Sequence, residues 1–331
     1  MSESVQHVDT SRDRARRRSH RPSHGTNVDD IGMTASDFTE PAHVTVIGLG
    51  DMGAALATSF LTVGHNTTVW NRTPSKAENL VSSGAIRAAS VREAIDASEL
   101  IVVCVTDYDA VTATLGSVKN FAGKTVLNVT SGSAAGARAM GAWMTARNGT
   151  YLDGAILAMT SEMGFDQAGT VFCSGPRPAW DQHESTLRAL GSGVQWLGAD
   201  AGLTGLYDVA ALGVTWGVLN SFLHAAALFE AVGEDPRSML PLVQTTLQNV
   251  SGWLPGYVDQ IEAGVFPPDG DIRAQLLAIE NLLGESRAAG INTDLPELFK
   301  NLGSRAVADG DGAQGYPALI NQFRKPPRLS S

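Results

Sequence analysis

At 331 residues the chain is long for one hydrophobic core and sufficient for two folded units. Hydrophobic residues make up 43% and charged residues only 18%, a thin polar surface for a monomer that points to apolar area covered by a partner subunit. The net charge of −10 argues against nucleic acid as a ligand, because binding to its phosphates is carried by Lys and Arg.

Residues 1–40 read as a disordered tail: they hold Arg12, Arg14, Arg16, Arg17, Arg18 and Arg21 among Ser, His and Asp, without the apolar periodicity that could offset the entropy of ordering. A twin-arginine or transit peptide is disfavoured, since no apolar stretch follows and acidic residues are interspersed. Translation from Met33 is a further alternative, which would leave the arginines without a role. From His43 to Ile47 runs a β-branched strand, followed by the turn Gly48-Leu49-Gly50-Asp51-Met52-Gly53 and a helix from Ala54 to Val63. The pattern repeats, with strands at Thr67 to Trp70, Leu100 to Val105 and Thr125 to Val129 and helices at Ser75 to Val81 and near Asp109 to Leu115. Further strands follow at Tyr151 to Ile156, Thr170 to Ser174 and Val194 to Leu197, with a helix from Pro178 to Leu190. Such alternation predicts an α/β, Rossmann-type domain over residues 41–200, with a parallel sheet covered on both faces. Cys104 and Cys173 fall in apolar runs and read as buried, unpaired thiols rather than a disulfide or metal ligands, which implies a reducing, cytoplasmic setting.

Beyond Gly202 the texture changes to a run, Val209 to Phe229, that is apolar almost all round. A helix apolar on every face must be surrounded. Asp208, Asn220, His224 and Glu230 interrupt it and no Lys or Arg closely flanks it, which disfavours a membrane span. Roughly 28 residues of helix would extend about 40 Å, enough to leave one domain and run through another. Residues 201–331 are therefore expected to form a long interdomain helix and an all-α dimerisation domain, with amphipathic segments at Ile272 to Ala289 and Leu295 to Val307.

The glycine spacing gains weight from lying between a strand and a helix. Gly48 permits the tight turn, Gly50 lets backbone approach a pyrophosphate, Gly53 lets helix pack on strand, and the helix N-terminus supplies donors. Leu49, Asp51 and Met52 complete the loop. An NAD site places a carboxylate about 20 residues further on, but here the chain reads Trp70-Asn71-Arg72-Thr73-Pro74-Ser75-Lys76. Arg72 and Lys76 are cations suited to a 2′-phosphate, and Asn71 and Thr73 offer neutral donors, so NADPH is the expected cofactor.

With Gly48-Leu49-Gly50-Asp51-Met52-Gly53, Trp70-Asn71-Arg72-Thr73, Leu127-Asn128-Val129-Thr130-Ser131-Gly132, Tyr151-Leu152-Asp153-Gly154-Ala155-Ile156 and Leu206-Tyr207-Asp208, followed by Phe222-Leu223-His224-Ala225, the chain resembles the β-hydroxyacid dehydrogenase superfamily and, within it, the imine reductases. The resemblance runs from Pro41 to about Pro326. It implies homodimers that exchange helical domains, with each active site between the Rossmann domain of one subunit and the helices of the other.

Where the hydroxyacid dehydrogenases of that superfamily carry a lysine, this chain has Asp208. A carboxylate there repels a hydroxyacid anion, most strongly at low dielectric, but stabilises an iminium cation, and its acid form can protonate an imine. Burial on a helical face with Leu212, Leu219 and Phe222 is expected to help Asp208 hold its proton. Without the resemblance, an Asp that merely caps the helix start reads equally well. The resemblance further implies that Ser131 faces substrate, although Thr130-Ser131-Gly132 reads equally as a helix cap. Trp216, two turns beyond Asp208, stands where many relatives have Tyr; it either shapes the pocket or is a core aromatic. Met159 and Met163 lie where the resemblance places the pocket wall, and Val105, Thr106 and Thr130 lie beneath the cofactor. The expected activity is NADPH-dependent reduction of an imine, preformed or made from a carbonyl and an amine. The alternatives are a C=O reductase on the same scaffold and a non-catalytic NADPH-binding protein. No metal, nucleic acid or membrane is expected to take part.

Overall fold

The computed structural model describes residues 40–325, so the tail expected over residues 1–40 lies, apart from Glu40, outside the described residues. The chain divides into two compact units, Met1–Asp208 and Val209–Ser331, with the division falling inside one long helix.

The first unit is a doubly wound sheet. In chain order it comprises β1 (His43–Ile47), α1 (Asp51–Thr62), β2 (Asn66–Trp70), a 3-10 turn leading into α2 (Glu78–Ser82), β3 (Ile86–Arg87), α3 (Val91–Asp96), β4 (Leu100–Val103), α4 (Tyr108–Leu115), β5 (Thr125–Asn128), α5 (Ala134–Thr145), β6 (Thr150–Ile156), β7 (Thr170–Ser174), α6 (Arg177–Leu187), β8 (Gly193–Gly198) and the start of α7 (Gly202–Ala231). The eight strands stand in the order β3-β2-β1-β4-β5-β6-β7-β8. Because successive strand residues point to opposite faces, Leu100, Val102 and Leu127 join one core, with Leu56 and Phe60 of α1 and Trp180 and Leu187 of α6. Ile101, Val103 and Val126 join the other, with Ile95 of α3, Val111 and Leu115 of α4 and Met140 and Met144 of α5. All four residues of β4 are buried, as a parallel strand covered on both faces requires.

One join departs from the expected parallel sheet: β6 and β7 run antiparallel. Only a loop with a 3-10 turn links them, whereas a parallel return needs a longer crossover, usually helical. The order reverses direction between β1 and β4, the switch point at which open α/β sheets present a crevice beyond their strand ends.

The second unit contains the rest of α7, α8 (Leu240–Ala263), α9 (Ile272–Ala288), α10 (Asp294–Ala308) and α11 (Ile320–Phe323). Its buried apolar cluster is small, Ile272, Ala306, Ala318 and Leu319. Large apolar side chains are left exposed along α7 and α8, among them Val214, Leu219, Leu223, Leu242, Trp253 and Leu254. By length and composition α7 could cross a membrane. Its first two turns, however, bury Gly202, Thr204, Gly205 and Asp208 in the α/β unit.

Candidate active site

Beyond the C-terminal ends of β1, β2 and β4 lies a cavity of about 680 Å³. It is lined by Gly48, Leu49, Gly50, Asp51, Met52 and Gly53, by Asn71, Arg72, Thr73 and Lys76, and by Val105 and Thr106. Trp70, Val91, Cys104, Ala110, Ala113 and Thr114, none of which the sequence marked as lining the cofactor site, complete the wall. The loop is built for close approach. Gly48 has φ +94°, and a Cβ there would run into the Cys104 carbonyl, while a Cβ on Gly53 would strike the carbonyl of Gly48. Gly50 has open space where its side chain would stand, so a ligand can reach the backbone. Asn71 fastens the two halves of the cradle: its Oδ1 accepts from the Leu49 amide at 3.0 Å and its Nδ2 donates to the Thr73 carbonyl at 3.1 Å. Arg72 and Lys76 are exposed at the rim. Backbone donors at a helix N-terminus, room at Gly50 and two cations past β2 fit a dinucleotide carrying a 2′-phosphate. Thr130 lies outside this lining; it is buried, and its hydroxyl accepts from the Val105 amide at 3.1 Å, bracing the ends of β4 and β5 together.

A second polar cluster sits at the ends of β5 and β6, where α7 begins. Gly205 lets α7 lie against the start of α5: a Cβ there would stand 2.9 Å from the Ala134 nitrogen. One turn before Asp208, on the same helical face, Thr204 is fully buried, its hydroxyl 2.6 Å from Ser174 Oγ and 3.3 Å from the Asp153 carbonyl oxygen. These contacts seat Asp208, which is 5% exposed. Burial raises the Asp208 pKa above the ordinary aspartate value, and a hydrogen bond with Ser131 pulls the other way.

Ser131 does not cap α5. That role belongs to Ser133, whose Oγ accepts from the Gly136 amide at 3.1 Å. The burial of Asp208 also has another origin than the expected apolar helical face, since Leu219 is 51% exposed; it comes from docking of the first turns of α7 on the sheet. Trp216 is 59% exposed, and so is not a core aromatic within this chain. Met159 is 70% exposed at the start of the 3-10 turn after β6, and Met163 packs against the core on the α1 face.

Behind Asp208 lies a group the sequence reading passed over. The buried Asp153 carboxylate accepts from Tyr108 Oη at 2.8 Å and Tyr151 Oη at 2.6 Å, both on Oδ1, and Tyr151 Oη in turn accepts from Asn128 Nδ2 at 3.1 Å. Burial pushes the Asp153 pKa up to about 6; the two tyrosine hydrogen bonds oppose the rise and the charge of Asp208 adds to it. Both tyrosine pKa values are raised, first by burial and then by the Asp153 charge. A carboxylate inside the apolar strand Tyr151-Leu152-Asp153-Gly154-Ala155-Ile156 was the available signal, since a fully buried Asp is rare unless paired.

Comparison with known proteins agrees across both units. Residues 43–198 match the NAD binding domain of 6-phosphogluconate dehydrogenase, and residues 200–325 match the C-terminal domain of NADPH-dependent reductive aminase-like proteins. The chain is 32% identical over 288 residues to an NADPH-dependent reductive aminase of Aspergillus oryzae, covering 85% of this chain and 97% of that one. It is similar to the structure of a reductive aminase from Aspergillus terreus in complex with NADPH and ethyl-5-oxohexanoate, at 38% identity and a TM-score of 0.81, covering 86% of this chain and all of the other. An imine reductase from Myxococcus stipitatus in complex with NADP+ is 30% identical with a TM-score of 0.80 over the same shares.

Proposed function

Since the chain belongs to the family of NADPH-dependent reductive aminases and imine reductases, we propose that Asp208 is the group through which it protonates, and then stabilises, the C=N bond it reduces. The protein is an NADPH-dependent oxidoreductase acting on imines. Residues Gly48 to Lys76 of the cradle would hold NADPH, which would supply the hydride. The observation that carries the role of Asp208 is a buried carboxyl group at the strand ends, facing Ser131, with a pKa raised by burial. In its acid form Asp208 gives its proton to the imine nitrogen. The carboxylate left behind pairs with the iminium cation, whose carbon then accepts hydride to yield the amine. The same negative charge repels a hydroxyacid anion, which separates this site from the C=O chemistry of the wider superfamily. In the cradle, Arg72 and Lys76 would hold the 2′-phosphate and the loop amides the pyrophosphate.

The substrate class includes carbonyl compounds together with amines, supported by the keto ester held in the Aspergillus terreus relative. Ser131 orients the bound substrate against Asp208, Trp216 bounds the pocket in the assembled protein, and Met159 and Met163 form its outer wall. A homodimer is supported by the apolar side chains exposed along α7 and α8, including Leu223, Trp253 and Leu254. A cytoplasmic setting fits the two unpaired thiols, Cys104 and Cys173.

The test is Asp208→Ala, assayed by NADPH oxidation with a small cyclic imine and by NADPH fluorescence for binding. Turnover should fall roughly 100-fold or more with NADPH affinity unchanged. Unchanged turnover in the variant would remove Asp208 from the mechanism. In the parent protein a 3-hydroxyacid with NADP+ should give no turnover.

A further inference from the structure

Ser174 ends β7, fully buried and directly opposite Asp153 of β6 in the antiparallel ladder. The ladder from β7 to β8 shifts register between Cys173 and Ser174, an irregularity of the kind that re-aims a side chain. The Ser174 hydroxyl meets the head of α7. It donates to the Ala201 carbonyl at 3.0 Å and accepts from the Thr204 amide at 3.2 Å and the Thr204 hydroxyl at 2.6 Å, so its one donor and both acceptor positions are all occupied there. An α-helix opens with amides that have no partner in the helix itself. Asp200 satisfies two of them in α7: its carboxylate accepts from the Gly202 amide and its carbonyl from the Leu203 amide, both at 3.0 Å. The amide of Thr204 is satisfied from another strand, by a side chain 30 residues earlier.

The other ties at this joint do less to orient the helix. Arg138 and Asp200 pair between α5 and the head of α7, but both side chains are about half exposed and water screens them. Gly205 limits how near α7 comes to α5, and a steric contact of that kind leaves the helix free to turn about its axis. Hydrogen bonds are directional, and a rotation by one residue, roughly 100°, would break those of Thr204. Thr204 stands one turn before Asp208 in an unbroken helix, so the setting of one fixes the setting of the other. Asp208 is also the last residue of the α/β unit, the unit that carries the cradle.

We propose that Ser174 and Thr204 are positioning residues for the reaction: their paired hydroxyls fix the rotation of α7 on the sheet and so hold the Asp208 carboxyl where it reaches the imine nitrogen. This rests on the role of Asp208 given above. Both residues are fully buried, so their effect on turnover passes through Asp208 and not through contact with the substrate. A misplacement of about 1 Å at a reacting group can lower a rate on the order of 100-fold, which makes a joint that resists rotation matter to kcat before it matters to binding.

Thr204→Val keeps the branched shape and removes the hydroxyl, whereas Thr204→Ser keeps the hydroxyl. In Thr204→Val, kcat for a small cyclic imine should fall about 10-fold while KM and NADPH affinity stay within about threefold; Thr204→Ser should return kcat to within about twofold of the parent. The loss should disappear in the Asp208→Ala background, where Thr204→Val has no carboxyl left to misplace. A merely structural role would lower thermal stability and reduce kcat by the same factor in both backgrounds. Equal factors in the two backgrounds, or parent kcat in folded Thr204→Val, overturn the proposal. Should Thr204→Val not fold, Ser174→Ala carries the same cycle with the same outcomes. Full turnover in Asp208→Ala would remove the proton donor and, with it, anything to position; a deficient Asp208→Ala with equal factors would remove only the role of Ser174 and Thr204.

Discussion

The cradle from Gly48 to Lys76 comes from one contiguous stretch of chain, β1 through the turn after β2, and its working parts are mostly backbone. The Asp208 cluster draws one or two side chains each from α4, β5, β6, β7 and the first turns of α7, separated by up to a hundred residues in sequence. The two regions meet the same need, a dry and preorganised polar surface, by different means. Amides at a helix start are satisfied by geometry that three glycines permit, whereas a buried carboxyl group needs partners delivered by tertiary packing.

The contrast predicts different modes of failure. The largest effect belongs to Gly48→Ala. A Cβ at φ +94° would collide with the Cys104 carbonyl, at a cost on the order of 3 kcal/mol, and NADPH binding measured by fluorescence should weaken by roughly 100-fold or more. Near-normal affinity would show that the loop can yield, and that the cradle is less backbone-determined than its geometry implies. Next comes Gly205→Val, which touches no ligand. It wedges α7 away from the start of α5 and should lower turnover about 10-fold while NADPH affinity stays within about twofold, because only the carboxyl site depends on that approach. Equal loss of turnover and cofactor binding would mean that the two regions are not separable. The smallest is Arg72→Ala, expected to weaken NADPH about fivefold in low salt, less in high salt, and NADH hardly at all. A matching loss for NADH would remove Arg72 from recognition of the 2′-phosphate.

Local patterns made the first region legible. Every residue from Gly48 to Gly53 and the set Asn71, Arg72, Thr73 and Lys76 could be named from a strand, a turn and the chemistry after the second strand, and the structure gathers all of them around one cavity. Thr130 was named with them, but it braces Val105 from behind, a distinction that depends on which way one hydroxyl points. The long helix from Gly202 was legible from its continuous apolar run, and Asp208 only from its place at the head of that helix together with the resemblance to the imine reductases.

The sequence alone thus determined the α/β alternation, the dinucleotide loop, its preference for a phosphorylated ribose and the single carboxyl group entering the helix, because each is written in residues close together in the chain. Tertiary structure decided the rest. The antiparallel turn of β7, the use of Ser133 rather than Ser131 as the helix cap, and the Asp153–Tyr108–Tyr151 group behind Asp208 depend on contacts between distant segments. The close approach at Gly205 is of the same kind: a glycine shows that space is needed, and only the folded chain shows what fills it. Asp208 makes the point most directly. Its identity was plain in the sequence, but its raised proton affinity comes from the surface on which α7 docks, which periodicity along the helix could not reveal.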